Sequence, residues 1–360
     1  MKSGRRNSYC YMRAAAAMAI VILHTFQYNV GAFPVMGVTK IASVAVRNCM
    51  LWAVPVFVMV TGALMLSEER VLPYPRLFFR YVAKTVLLLF ICVTGGRLLD
   101  QYILGIAQAE PSMIFVLHSL TALFTAQGWQ TFWYLYLLLA IYLSLPAFRG
   151  IAKGLSRKDI RYLLWVLFLF QSVLPFIGFF LRMDSGWYLL FYTIYPFYLL
   201  AGYYFRNGNM FDGRFILASV IVCAGMEAAL TVGCFLGGWS LLIGEIERYS
   251  FPVVVVGSLS AFLLFVRREE PERVSLPQRM LLLFDRYTLD IYLIHLFLLE
   301  IMVYGLQFDP YGYGIGMVFA EAVGLFIVSF VFSYGLRQIF GFVLHFSQRK
   351  TQNKASSNDL

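Results

Sequence analysis

The sequence predicts an all-α polytopic membrane helical bundle, with about ten transmembrane helices and both termini cytoplasmic. Three observations carry that reading. Of 360 residues, 60% are hydrophobic and only 13% are charged, whereas a soluble chain carries about 45–50% apolar and roughly 25% charged residues. The apolar residues run in continuous blocks, such as 85–93 and 319–332. Such blocks exclude the alternating pattern of an outer-membrane barrel and leave helices, which satisfy their own backbone hydrogen bonds in lipid. Finally, Lys and Arg gather in alternate connections, as the excess of positive charge on cytoplasmic loops requires.

Taken in order, the chain opens on a basic start (Lys2, Arg5, Arg6) and an apolar run at 14–23. A signal peptide would look similar, but no small-residue cleavage site follows, so a retained first span is expected. At about 20 residues per crossing, spans are expected at 9–30, 43–66, 81–104, 130–148, 161–181, 187–205, 214–236, 250–266, 281–305 and 314–343. Residues 111–128, with His118 and Gln127, are expected to form an amphipathic or re-entrant piece; a full crossing there would make eleven spans.

With the N-terminus inside, the inner connections hold Arg70 and Arg76, then Arg149, Lys153, Arg157, Lys158 and Arg161, then Arg206 and Arg214, then Arg267, Arg268, Arg273 and Arg279. The outer ones hold Lys40, Arg182 and Arg248. The net charge of +10 is therefore explained by topology, and no nucleic-acid partner is needed. A bacterial cytoplasmic membrane, with bilayer lipid as a partner, is the expected location. Residues 1–347 are expected to form one transmembrane domain and residues 348–360 a disordered cytoplasmic tail. Cys10, Cys49, Cys92, Cys223 and Cys234 contain no CxxC pair, so they read as packing residues with no disulfide framework and no metal site.

Ionisable side chains at membrane depth are functional candidates by default. Arg13 and His24 are eleven residues apart, about three full helical turns, so both project from one face roughly 16 Å apart along the axis. The plain alternative makes Arg13 a boundary anchor and His24 a packing hydrogen bonder. Asp290, Tyr292, His295 and Glu300 form a second polar group. Steps of five residues are offset by about 140° on a helix, so His295 is expected to find its partner on another span. Arg76, Arg80 and Lys84 recur every four residues and form one cationic stripe, suited to phosphate oxygens or to lipid headgroups. For Glu227 and Glu321, hydrogen bonds between helices are the expected role. The sequence holds no phosphate-binding Gly-rich loop and no HExxH, which disfavours a nucleotide-driven pump.

Four stretches, Arg13 with His24, Val54 to Gly62, Phe132 to Pro146 and Ile291 to His295, together resemble the acyltransferase 3 family of membrane enzymes that O-acylate sugars and cell-surface glycans. Arg13 with His24 resembles its Arg-x10-His signature. Val54-Pro-Val-Phe-Val-Met-Val-Thr-Gly62 resembles its VPxFFxxSG segment, with Thr61 for Ser. Phe132-Trp-Tyr-Leu-Tyr136 running to Tyr142-Leu-Ser-Leu-Pro146 resembles its WYLY…YLxxP span, and Ile291-Tyr-Leu-Ile-His295 its IYLIH element. The resemblance is closest to the single-domain branch that acetylates bacterial surface polysaccharides. It implies transfer of an acyl group, acetyl foremost, from acyl-CoA to a hydroxyl of a polysaccharide or lipid-linked sugar. His24 would be the essential base or acyl relay, with Arg13 and His295 as further catalytic residues; Arg76, Arg80 and Lys84 would take the acyl-CoA phosphates. The family's RxxR motif is not reproduced, because Arg76 and Arg80 are separated by three residues. Asp290 stands where a small residue is expected. Without an appended hydrolase-like domain, transfer would be direct or through a separate extracytoplasmic transferase.

The rival is a multi-span transporter or flippase for a glycan, lipid or ion, since buried His, Arg and Glu also suit proton coupling. Transporters often carry internal inverted repeats, and residues 1–180 and 181–360 bear no such likeness. A membrane scaffold is the third reading, disfavoured by the placement of Arg13 and His24.

Overall fold

A computed structural model describes residues 3–67, 72–125, 129–182, 193–207, 211–267 and 275–356, and among them there is no strand. The first span is α1 (Ser3–Ala32). The second is α2 (Gly37–Cys49) followed, across a break at 50–52, by α3 (Ala53–Met65). The third joins α4 (Tyr74–Leu77) to α5 (Ala83–Leu98) through a π-helical turn at Phe78–Val82, and a second π turn, Leu99–Ile103, closes it. Next come α6 (Ser112–Thr125) and α7 (Trp133–Gly154). A π turn at Leu169–Val173 joins α8 (Arg157–Phe168) to α9 (Leu174–Leu181). The remainder is α10 (Tyr195–Phe205), α11 (Gly213–Gly237), α12 (Ser240–Ile246), α13 (Pro252–Val266), α14 (Leu276–Asp285), α15 (Thr288–Glu300) with a π turn at Ile301–Gly305, and α16 (Ile315–Ser356). The last helix thus continues into the stretch 348–360 expected as a tail.

Every expected span overlaps a helical stretch, and among the described residues eight of these stretches are long and apolar enough to cross a membrane. The other two expected spans, 187–205 and 250–266, correspond to shorter helices among the described residues. α13 has only 15 residues and α10 only 11, and the first part of the expected span 187–205 falls in residues outside those described. So do Arg70, Gln127, Arg268 and Arg273. α6, with 14 residues, is about 21 Å long at 1.5 Å per residue, short of a hydrocarbon core of about 30 Å.

Sequence explains the architecture locally. Ser156 and Asp159 form a capping box at the start of α8: the Ser156 hydroxyl accepts from the Asp159 N–H at 3.2 Å, and the Asp159 carboxylate accepts from the Ser156 N–H at 3.2 Å. Small residues Ala14, Ala16, Ala17 and Ala19 are buried on α1 and let other helices approach closely. As a result α1 is the hub, touching α2, α3, α13, α14, α15 and α16. Helices α3 and α10 cross at two glycines. A Cβ on Gly62 would lie 1.9 Å from the Leu199 carbonyl oxygen, and one on Gly202 1.9 Å from that of Met59. In contrast, α11 and α16 turn Ile221, Val222, Val331 and Phe332 outward, as a lipid-facing surface requires.

Candidate active site

The buried face of α1 carries His24, and α15, packed beside it, carries His295, which is wholly buried. His24 Nδ1 lies 3.0 Å from His295 Nε2. The two rings are within 8° of parallel with centroids 5.3 Å apart, which with the short N–N distance describes rings joined edge to edge through a hydrogen bond. His295 Nδ1 in turn is 2.9 Å from the Ile291 carbonyl oxygen.

This chain of contacts fixes the proton positions. A carbonyl oxygen only accepts, so His295 Nδ1 must carry the hydrogen, and in a neutral imidazole its Nε2 is then the acceptor. His24 Nδ1 therefore donates to His295, and His24 Nε2 is left with a lone pair. The sequence expects a partner for His295 on another span, and that partner is His24.

Tyr292 flanks both imidazoles, with ring centroids 6.2 Å from His24 and 5.9 Å from His295. Its hydroxyl donates to the Thr131 carbonyl, and its ring meets Tyr134 edge-on at 5.6 Å. Tyr134 also faces Phe57 at 6.2 Å. The stretches singled out on α1, α3, α7 and α15 thus converge around one point, although they are far apart in the chain. Polar groups continue beyond it: the Tyr28 hydroxyl is 3.5 Å from Thr131 Oγ1 and neighbours Glu300. Farther along, Asp100 accepts from Trp129 Nε1 at 2.7 Å.

Arg13 lies elsewhere on α1. Its Nε and Nη2 donate to the two carboxylate oxygens of Asp285, each at 2.7 Å, a bidentate fork with directional strength. Asp285, at the end of α14, has no signal in the sequence, since no helical periodicity relates residues 272 positions apart. Asp290, unexplained by sequence, accepts from Arg337 Nε at 2.9 Å and Nη2 at 2.5 Å, and Arg337 also lies 4.6 Å over the Tyr287 ring.

Arg76, Arg80 and Lys84 are exposed, and no carboxylate among the described residues pairs with them. Arg80 falls inside the π turn, whose longer hydrogen-bond step shifts the register of the stripe. Glu321 accepts from Asn29 Nδ2 at 2.8 Å, a bond from α1 to α16. Glu227 departs from expectation: neither carboxyl oxygen has a hydrogen-bond partner among the described residues.

Fold and site together define a polytopic membrane protein with a buried, hydrogen-bonded imidazole pair between α1 and α15. Its family is the acyltransferase domain family named acyltransferase 3, whose pattern matches residues 7–338. The chain belongs to that family and is a membrane acyltransferase. No curated protein and no solved structure matches it.

Proposed function

We propose that the protein moves an acyl group, acetyl foremost, from acyl-CoA to a hydroxyl of a cell-surface polysaccharide or lipid-linked sugar. The observation that carries this reading is the 3.0 Å contact between His24 and His295, which leaves His24 Nε2 free to accept a proton. In the step, the acceptor oxygen loses its hydrogen to His24 Nε2 and attacks the thioester carbonyl, and collapse of the tetrahedral adduct breaks the carbon–sulfur bond. The departing thiolate takes the proton back.

His295 makes the base a relay. As His24 Nε2 gains a proton, Nδ1 can release its own to His295 Nε2, moving the charge one residue away from the reacting oxygen. General base catalysis of this kind is worth roughly 10²–10⁴-fold. Arg13, its guanidinium fork committed to Asp285, acts as a positioning residue that fixes α14 against α1. Arg76, Arg80 and Lys84 take the donor's phosphates, and a separate extracytoplasmic transferase remains a candidate partner. Membership of an acyltransferase family selects this reading over a transporter.

The test is transfer of label from radiolabelled acetyl-CoA into the glycan and glycolipid fraction of membranes. Label is expected with the wild type and absent with His24→Ala at matched abundance. Equal labelling in both would remove His24 from the chemistry; labelling in neither would reject direct transfer from acetyl-CoA by this protein alone.

A further inference from the structure

Away from the imidazole pair, α8, α10 and α13 enclose a cavity of about 330 Å³. Its walls are apolar and aromatic, including Trp165, Phe168, Phe197, Val256 and Leu259. A second cavity of about 150 Å³ adjoins it and is lined by Arg157, Ile160, Tyr203, Tyr204 and Arg206, with Tyr204 common to both. Along α8 the lining changes from Arg157 and Arg161 at the helix start to Trp165 and Phe168 farther on. Eleven residues at 1.5 Å each give a depth of about 16 Å. The composite cavity is therefore cationic at its mouth and greasy below.

Both arginines are supported by aromatic rings. Arg157 lies 5.1 Å over the Tyr204 ring and Arg206 lies 4.4 Å over the Tyr203 ring, a geometry that orients a guanidinium. Arg206 Nη1 is buried without a hydrogen-bond partner among the described residues. Asp159, close by in sequence, is turned to Ser156 in the capping box.

We infer that this composite cavity binds an anionic glycerophospholipid of the bilayer, its phosphate between Arg157 and Arg206 and one acyl chain along Trp165, Phe168 and Phe197. Charge complementarity selects the headgroup, since basic pockets between membrane helices suit anionic lipids. The deeper cavity selects the chain: at roughly 30 Å³ for a group of water size, it holds about ten methylenes. None of these residues belongs to the imidazole site, so the inference is independent of the reaction assigned above.

The experiment reconstitutes the full chain in phosphatidylcholine nanodiscs and titrates in brominated phosphatidylglycerol or brominated phosphatidylcholine. Quenching of Trp165 is read as the difference between wild type and Trp165→Phe. The expected result is half-saturation at about a tenfold lower mole fraction for the anionic lipid. That preference should vanish in the Arg157→Gln, Arg206→Gln pair, fall in Arg157→Gln alone, and survive Lys158→Gln, which removes a charge from the same helix turn but does not line the cavity. Val256→Trp should weaken quenching by occupying the chain's place. Equal half-saturation for the two lipids overturns the inference. So does an equal loss in Lys158→Gln, which reports general surface charge, or displacement by free coenzyme A, which reports a soluble phosphate ligand.

Discussion

His24 and His295 meet because two helices, not two neighbouring residues, bring them together, and the consequence for catalysis is specific. If His295 only packs, any side chain of similar volume at that position should serve. If it holds the His24 tautomer, an acceptor is required where Nε2 now sits 3.0 Å from His24. His295→Gln retains an acceptor oxygen but cannot relay a proton, so it should keep part of the turnover that His295→Ala loses. We expect at least a tenfold loss of kcat in His295→Ala and an intermediate value in His295→Gln, with KM for acyl-CoA nearly constant in both. Steady-state kinetics on reconstituted protein checks this; equal rates in the two variants would reject the role of His295 in holding the His24 tautomer. The histidines themselves were legible in the sequence, because an imidazole inside an apolar run stands out. Their pairing was not, and neither was Arg13 with Asp285 or Asp290 with Arg337, since spacing along a helix specifies a face and never the helix that will pack there.

At the scale of elements, the segment ending at Gly62 is legible as a motif, yet its meaning lies in a helix crossing. Neither glycine is needed for an unusual backbone angle; each is needed because the opposing backbone occupies the place of its Cβ. A carbonyl oxygen in a helix cannot swing aside as a side chain can. Gly62→Ala and Gly202→Ala are therefore each expected to destabilise toward the upper end of the roughly 1–3 kcal/mol of overpacking. Gly150→Ala on α7, where a Cβ would meet nothing within 4 Å, should instead be neutral or stabilising by up to about 1 kcal/mol. Thermal unfolding in one detergent compares all three. Hydropathy marks an apolar run and not the helix within it: α13 starts only at its proline, and among the described residues α10 covers the second part of the expected span 187–205.

The connection from the third span to α6 has its own pH response. Glu110 sits there, and its carboxyl is held below the ordinary carboxylate range by the hydrogen bond to His118, with help from Arg97. The distances are 3.0 Å and 2.6 Å respectively. A carboxyl whose folded value is depressed contributes stability that is complete above its unfolded value, about 4.3, and is lost as pH falls through the lower folded value. The hydrogen-exchange protection of residues 104–118, taken relative to the intrinsic rate at each pH, should accordingly stay constant from neutral pH down to about 4.3 and fall below it. Glu110→Gln should exchange faster at neutral pH and show no such step.

For the whole molecule, the packing sorts the connections into two sets, and each set is tied together internally. Arg149 Nη1 donates to the Met65 carbonyl at 2.8 Å, and Arg267 reaches the Phe211 carbonyl; all four residues lie in or beside connections expected inside. Arg47 pairs with Glu247 and Arg97 with Glu110, all at ends expected outside. Contacts within a set and none of these between sets are what alternate crossings demand, and the concentration of Arg and Lys in the first set assigns it to the cytoplasm. The proposed donor, acyl-CoA, is cytoplasmic, so the exposed stripe Arg76, Arg80 and Lys84 would meet it on that face, while the polar groups from Tyr28 to Asp100 lie toward the other. In a variant lacking its native cysteines, a cysteine introduced at Ser156 should react with a membrane-impermeant maleimide only after permeabilisation, and one at Lys40 in intact cells. The reverse pattern would place the stripe outside and separate it from any cytoplasmic donor. Labelling of both sites in intact cells would break the alternation of inner and outer connections.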